Sequence, residues 1–185
     1  MDIKTVFNNF IRHSLFTIKK SWIILAMAFT VAFVIIPANV PSASMEPTLM
    51  TGDYILIKAR FIGKHPKRGE IVSFCMGKDI WIKRLIGLPG DKVSLIDGDV
   101  YVNDEKLNED YLPEGTKTEP GLNDVEIYYV PEGQIFVLGD NRGNSFDSRY
   151  MENTFIPLSD VIGYNPYVVG NIPIIGQIKE FLHLR

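Results

Sequence analysis

Apolar and polar positions divide this 185-residue chain into two unlike parts. No charged residue occurs from Ser21 to Met45, and Trp22 to Pro37 holds one polar side chain, Thr30. At about 1.5 Å per helical residue that stretch reaches roughly 24 Å, against about 30 Å for a bilayer hydrocarbon core. Ala38 to Pro41, also uncharged, extends it, while Lys19 and Lys20 suit snorkelling and Trp22 suits the interface. Pro37 and Pro41 remove backbone donors and disfavour helix before them, so the helix is predicted to end near Pro37, with extended chain leading to Ser44. A cleaved signal peptide is the alternative. Its apolar region is shorter, about 7 to 15 residues, and a cut at Val40-Pro41-Ser42 would leave Ser44 at the start of the mature chain, so the pattern predicts a retained anchor.

Beyond the anchor the apolar residues come in short, turn-bounded runs. Tyr54 to Ile57 follows Gly52-Asp53, Ile71 to Phe74 follows Arg68-Gly69-Glu70, and Ile80 to Ile86 is rich in apolar and β-branched residues. Lys92 to Ile96, Asp97-Gly98 and Asp99 to Val102 form the strongest hairpin signal, because Asp-Gly readily takes the positive φ of a primed turn. Gln134 to Leu138 is another strand, delivering the chain into a polar block that starts at Gly139. The pattern predicts a mostly β, antiparallel barrel-like or sandwich-like domain. The expected organisation is a cytoplasmic segment 1–20, a transmembrane anchor 21–38 and one extracytoplasmic β domain 39–185. The C-terminal stretch from Val161 is too interrupted by Pro166, Asn171, Pro173, Gln177 and Lys179 to make a second span.

Charge sets the orientation. Lys4, Arg12, Lys19 and Lys20 precede the span, against Lys58 and Arg60 soon after it, so the N-terminus is expected inside. The part beyond carries fifteen Lys and Arg against twenty-one Asp and Glu, which argues against nucleic acid as a partner and leaves the lipid bilayer as the anchor's surroundings. Cys75 is the sole cysteine, which excludes an intramolecular disulfide and a Cys-rich zinc site; in Ile71 to Cys75 it reads as a small strand residue.

The candidate chemistry is an activated hydroxyl. Pro41-Ser42-Ala43-Ser44-Met45-Glu46-Pro47-Thr48 sets two serines just past the apolar run. None of His13, His65 and His183 has a motif-like setting, although His65 can still approach in space. Lys83, between Ile82 and Leu85-Ile86 on a predicted apolar strand, is the better base. Burial disfavours its ammonium and lets a neutral amine accept a proton near neutral pH. Arg84 falls on the opposite strand face and reads as structural.

Three blocks, Ser42 to Thr48 with Gly52-Asp53, Trp81-Ile82-Lys83-Arg84 with Gly87-Leu88-Pro89-Gly90-Asp91, and Gly139 to Arg149, together resemble bacterial type I signal peptidases, membrane-bound serine proteases that remove signal peptides from exported proteins. The resemblance implies that family's mostly β fold, Ser44 as nucleophile, Lys83 as general base, and Ser42 beside a backbone N–H in the oxyanion hole. It also implies Ser145 hydrogen-bonding the lysine, and Asp147 supporting that neighbourhood with Arg149 paired to an acid. It implies signal-peptide-bearing precursors as partners, a bacterial plasma-membrane location, and neither metal nor organic cofactor. Small residues before the cut need shallow apolar pockets, for which Val40, Pro41, Met45, Leu49, Trp81 and Ile82 are candidates. Asp140-Asn141-Arg142 reads mainly as a solvated turn, and Leu107 to Val125 carries little signal. A self-cleaving repressor-type Ser-Lys protease and a non-catalytic membrane-anchored β module are the alternatives.

Overall fold

The computed structural model describes residues 19–22, 25, 35–59, 66–121 and 124–170. The chain falls into two compact units, Met1–Ile36 and Pro37–Arg185. In the first, residues 19–22 and 25 are helical. Most of the expected anchor, with His13, His65, His183 and the C-terminal stretch from residue 171, lies outside the described residues. Among the described residues no helix is long and apolar enough to cross a membrane. Strand β1 (Ile35–Asn39) is already extended two residues before Pro37, earlier than the helix end expected from the sequence. Two β-branched isoleucines followed by a proline explain the shift, since both features favour extended backbone.

The second unit is mostly antiparallel β. A large sheet takes the order β1, β2 (Tyr54–Ala59), β11 (Val161–Gly170), β3 (Ile71–Met76), β4 (Asp79–Gly87), β9 (Gln134–Leu138) and β10 (Ile156–Pro157). A smaller sheet takes the order β7 (Glu105–Lys106), β6 (Asp99–Val102), β5 (Lys92–Ile96) and β8 (Ile127–Tyr129). The expected Asp-Gly hairpin is present: Ile96 opposes Asp99, with Asp97 at φ 53° and Gly98 at φ 83°, the twist that joins two right-twisted strands without splaying them.

The second half of β4, from Ile82 to Gly87, and strand β9 are buried on both faces and so tie the two sheets together. One face gives Ile86, Phe136 and Leu138 to a core with Val93, Leu95, Val100 and Val102 of the small sheet. The other gives Leu85, Ile135 and Val137 to a core with Val72 and Phe74. Lys83 shares this second face, opposite Val72 and two positions from Leu85. The alternation that makes a good strand thereby presses an amine into apolar surroundings. Cys75 sits on β3, as expected, and is exposed.

Candidate active site

Ser44 occupies a single 3₁₀ turn, Ala43–Met45, entered in extended conformation at Ser42. Lys83 Nζ donates to Ser44 Oγ at 2.8 Å and to Ile82 O at 3.0 Å. Ser42 Oγ lies 3.4 Å from Ser44 Oγ. Lys83 is 4% exposed and Ser44 9%. Burial lowers the lysine from its ordinary 10.5 to about 8, while the charges of Asp147 and then Asp140 push the other way. Burial wins because both acids are already engaged by guanidinium groups. Asp147 accepts Arg149 Nε at 2.9 Å, and this pair is fully buried. Asp140 accepts Arg84 Nε at 2.7 Å and Arg84 Nη2 at 2.5 Å. At a pKa of about 8, roughly a tenth of the lysine is neutral at pH 7.

Gly139 is required by crowding. A Cβ there would stand 2.1 Å from Ser145 Oγ and 2.5 Å from Ser44 O, below any tolerable contact. Its N–H donates to Asp147 Oδ2 at 2.9 Å. Ser145 is thus brought beside the Ser44 turn, but its hydroxyl is turned over Gly139. The expected hydrogen bond to Lys83 is not formed, and Ser145 Oγ is buried with no hydrogen-bond partner among the described residues. The amine spends its donors on Ser44 and on the carbonyl of Ile82 instead.

Asp140-Asn141-Arg142 is not the solvated turn expected from its composition. Asp140 is 1% exposed and Arg142 3%, because each charge has a partner: Arg84 for Asp140 and Glu109 for Arg142. Asn141 ties this turn to the serine, its backbone N–H on Ser44 O at 3.1 Å and its Nδ2 on Ala43 O at 3.1 Å. Thr48 Oγ1 donates to Asp140 Oδ2 at 2.5 Å, fixing the far end of the serine loop. Sequence reading missed Glu109, Tyr111 and Thr118 altogether. Nothing local in the sequence marks them, because the arginines they meet lie 24 to 33 residues away.

Ser44 and Lys83 lie in a cleft of about 1380 Å³. Val40, Pro41, Met45, Trp81 and Ile82 line it; Leu49 does not. The N–H of Leu49 closes a turn on Met45 O, which carries its side chain into the interior instead. One wall is the continuous run Pro37–Met45 and the other Lys78–Lys83. Strand β9 pairs with β4 at Arg84, Leu85 and Gly87, so among the described residues the first half of β4 keeps one edge free for the cleft. Trp81 meets Phe146 edge-on at 6.0 Å, and exposed Ile80, Phe146 and Val169 form the apolar rim. Among the described residues no cluster of potential ligands is arranged to hold a metal ion.

Comparison with known proteins places these features in company. Residues 15–169 match the model of a family described as signal peptidase, peptidase S26. A probable signal peptidase I-2 of Synechocystis sp. is 41% identical over 150 residues, covering 76% of this chain and 66% of that protein, just under two thirds of its length. The signal peptidase I of Rickettsia conorii is 32% identical over 212 residues, covering 82% of this chain and 79% of that protein. A crystal structure of a signal peptidase I from Enterococcus faecalis is 34% identical, covers 55% of this chain and 97% of its own, and has a TM-score of 0.45.

Proposed function

The chain belongs to the signal peptidase family, peptidase S26, whose members are serine endopeptidases, and from that premise we propose that it removes signal peptides from exported precursors with Ser44 as nucleophile and Lys83 as general base. The observation that carries this reading is the 2.8 Å contact between a buried amine and a buried hydroxyl at the floor of an extended cleft.

Neutral Lys83 takes the Ser44 proton as Oγ bonds to the scissile carbonyl carbon. The resulting oxyanion is held by the Ser42 hydroxyl and the Ser44 N–H, which sits in the first turn of a 3₁₀ segment where amides lack an intrahelical acceptor. The lysine ammonium then protonates the leaving amine as the C–N bond breaks. Neutral again, Lys83 takes a proton from the water that attacks the acyl ester and returns it to Ser44 Oγ as the ester C–O bond breaks. Asp147, paired with Arg149, holds the Gly139 N–H beside the Ser44 turn. The substrate lies extended against the free edge of β4, its small side chains directed to Val40, Pro41, Met45, Trp81 and Ile82. Residues 21–38 anchor the enzyme as one span in the bacterial plasma membrane, residues 1–20 cytoplasmic and 39–185 outside. No metal or organic cofactor takes part.

A synthetic precursor bearing an Ala-x-Ala site tests the reading: the chain is expected to cut once after the second alanine, and Ser44→Ala to leave the precursor intact. A Ser44→Ala variant that still cleaves refutes the assignment. Self-cleavage with an untouched precursor points to the repressor-type protease.

A further inference from the structure

Among the described residues the segment between β7 and β8 contributes nothing to the cleft wall, yet it supplies a partner to each of the buried arginines Arg84, Arg142 and Arg149. The Tyr111 ring centroid lies 3.7 Å from the Arg84 guanidinium carbon, and its hydroxyl donates to Glu109 Oε1 at 2.7 Å. Glu109 accepts Arg142 through both carboxylate oxygens, one of them from Nη1 at 3.1 Å. Thr118 accepts Arg142 Nη1 on its hydroxyl while its own N–H is fixed to Gly98 O at 2.8 Å, at the tip of the Asp-Gly hairpin. The carbonyl of Glu119 accepts Arg149 Nη1 at 3.1 Å.

Arg142 passes this hold to the serine. Its Nε donates to Gly139 O at 3.1 Å and its backbone N–H to Asp140 O at 3.0 Å, closing the turn. From that turn Asn141 holds the carbonyls of Ala43 and Ser44. A rigid hairpin is thereby linked, through one guanidinium, to the nucleophile's own backbone. Without Glu109 the Arg142 side chain, 1% exposed, would keep a buried charge lacking its acid, and the turn would relax to let it reach water.

We propose that Glu109 and Tyr111 are positioning residues for this hydrolysis: they touch no substrate, but through Arg142 and Arg84 they fix Ser44 Oγ against Lys83 Nζ. The inference rests on the reading of Ser44 and Lys83 as the reacting pair. A misplacement of about 1 Å at a reacting centre can lower a rate by about 10²-fold, so modest loosening here is expected to appear in turnover and not in binding.

The test uses the full chain in detergent with an Ala-x-Ala peptide, together with a crystal structure of each folded variant. Glu109→Gln is expected to lower kcat by about 10- to 100-fold with KM within about twofold, and to lengthen the Lys83 Nζ to Ser44 Oγ contact beyond hydrogen-bonding range. Tyr111→Leu is expected to lose about 3- to 10-fold in kcat, and Tyr111→Phe, which keeps the ring over Arg84, less than Tyr111→Leu. If Glu109→Gln does not fold, Thr118→Val carries the same test, since it removes one acceptor of the same guanidinium without removing a charge. The proposal is overturned if a folded variant keeps its kcat, if the loss lies in KM, or if kcat falls while the contact stays at its length. A wild-type chain that leaves the peptide uncut refutes the signal peptidase reading alone; the contact distance in the variants still decides the positioning role.

Discussion

On the cleft side of Ser44 and Lys83 the walls are mostly extended backbone and apolar side chains, with Lys78 and Asp79 as the further charged residues of the lining. On the other side Arg84, Arg142 and Arg149 are each locked to an acid within the protein. The open side is plain and the closed side heavily charged, the reverse of what exposure alone suggests. The difference shows how a lysine can be lowered with two carboxylates nearby. Each acid has its guanidinium, so the fields largely cancel and burial decides.

Removing the amine breaks the comparison most severely. On the proposed mechanism Lys83→Met is expected to lower cleavage by at least about 10²- to 10⁴-fold, measured as precursor turnover. The same change is expected to stabilise the fold. The lysine's folded-state pKa lies below its unfolded value, so below pH 8 the folded chain carries the full penalty of a buried charge, and that penalty fades as pH rises from about 8 towards 10.5. Urea melts are thus expected to show Lys83→Met more stable by about 1–3 kcal/mol at pH 7 and nearer parity at pH 10. For the wild type, kcat/KM is expected to rise about tenfold per pH unit and flatten near 8; activity already level between pH 6 and 7 would exclude this lysine as the base.

A smaller perturbation sharpens the comparison from within. In Gly139→Ala the new methyl meets Ser145 Oγ at 2.1 Å and the backbone oxygen of Ser44 at 2.5 Å. The second atom cannot rotate away, so the serine turn must move. The expected result is a fall in kcat of about 10²-fold and a loss of about 1–3 kcal/mol of stability, read by steady-state kinetics and denaturant melts. A variant with normal kcat would show that the turn is softer than its contacts imply.

The smallest effects belong to the open side. Trp81→Ala removes an aromatic wall that Phe146 meets edge-on, and is expected to raise KM about 5- to 10-fold with kcat within about threefold. Phe146→Ala, at the exposed rim, is expected to raise it about twofold. Equal losses in kcat from either change would mean that the cleft wall also sets the geometry of the reacting pair.

What was legible in the sequence follows the same division. The β4 run, the Asp-Gly hairpin and the alternation that separates Lys83 from Arg84 are local patterns, and each is formed. The blocks bearing Ser42, Ser44, Lys83, Ser145 and Asp147 converge. On the charged side the local pair, Arg149 with Asp147 two residues away, was legible, but the other two were opaque because they join distant positions: Glu109 and Arg142 are 33 residues apart and Arg84 and Asp140 are 56. No periodicity links such residues, and a buried Asp-Asn-Arg turn has the composition of a solvated one. The Ser145 hydroxyl departs from expectation at a finer level, since its side chain packs against Gly139, which offers no side chain to read.

The cleft between Pro37–Met45 and the free edge of β4 has a consequence for breadth. Main-chain N–H and C=O groups are the one feature that all polypeptides share, so a slot bounded by strand backbone reads a guest's shape before its spelling. Such an enzyme gains generality from what it ignores. Most letters of a client sequence pass unread, and discrimination is confined to the few places where a side chain must turn into the wall. On the proposed reading, one protease can in this way serve many unrelated precursors.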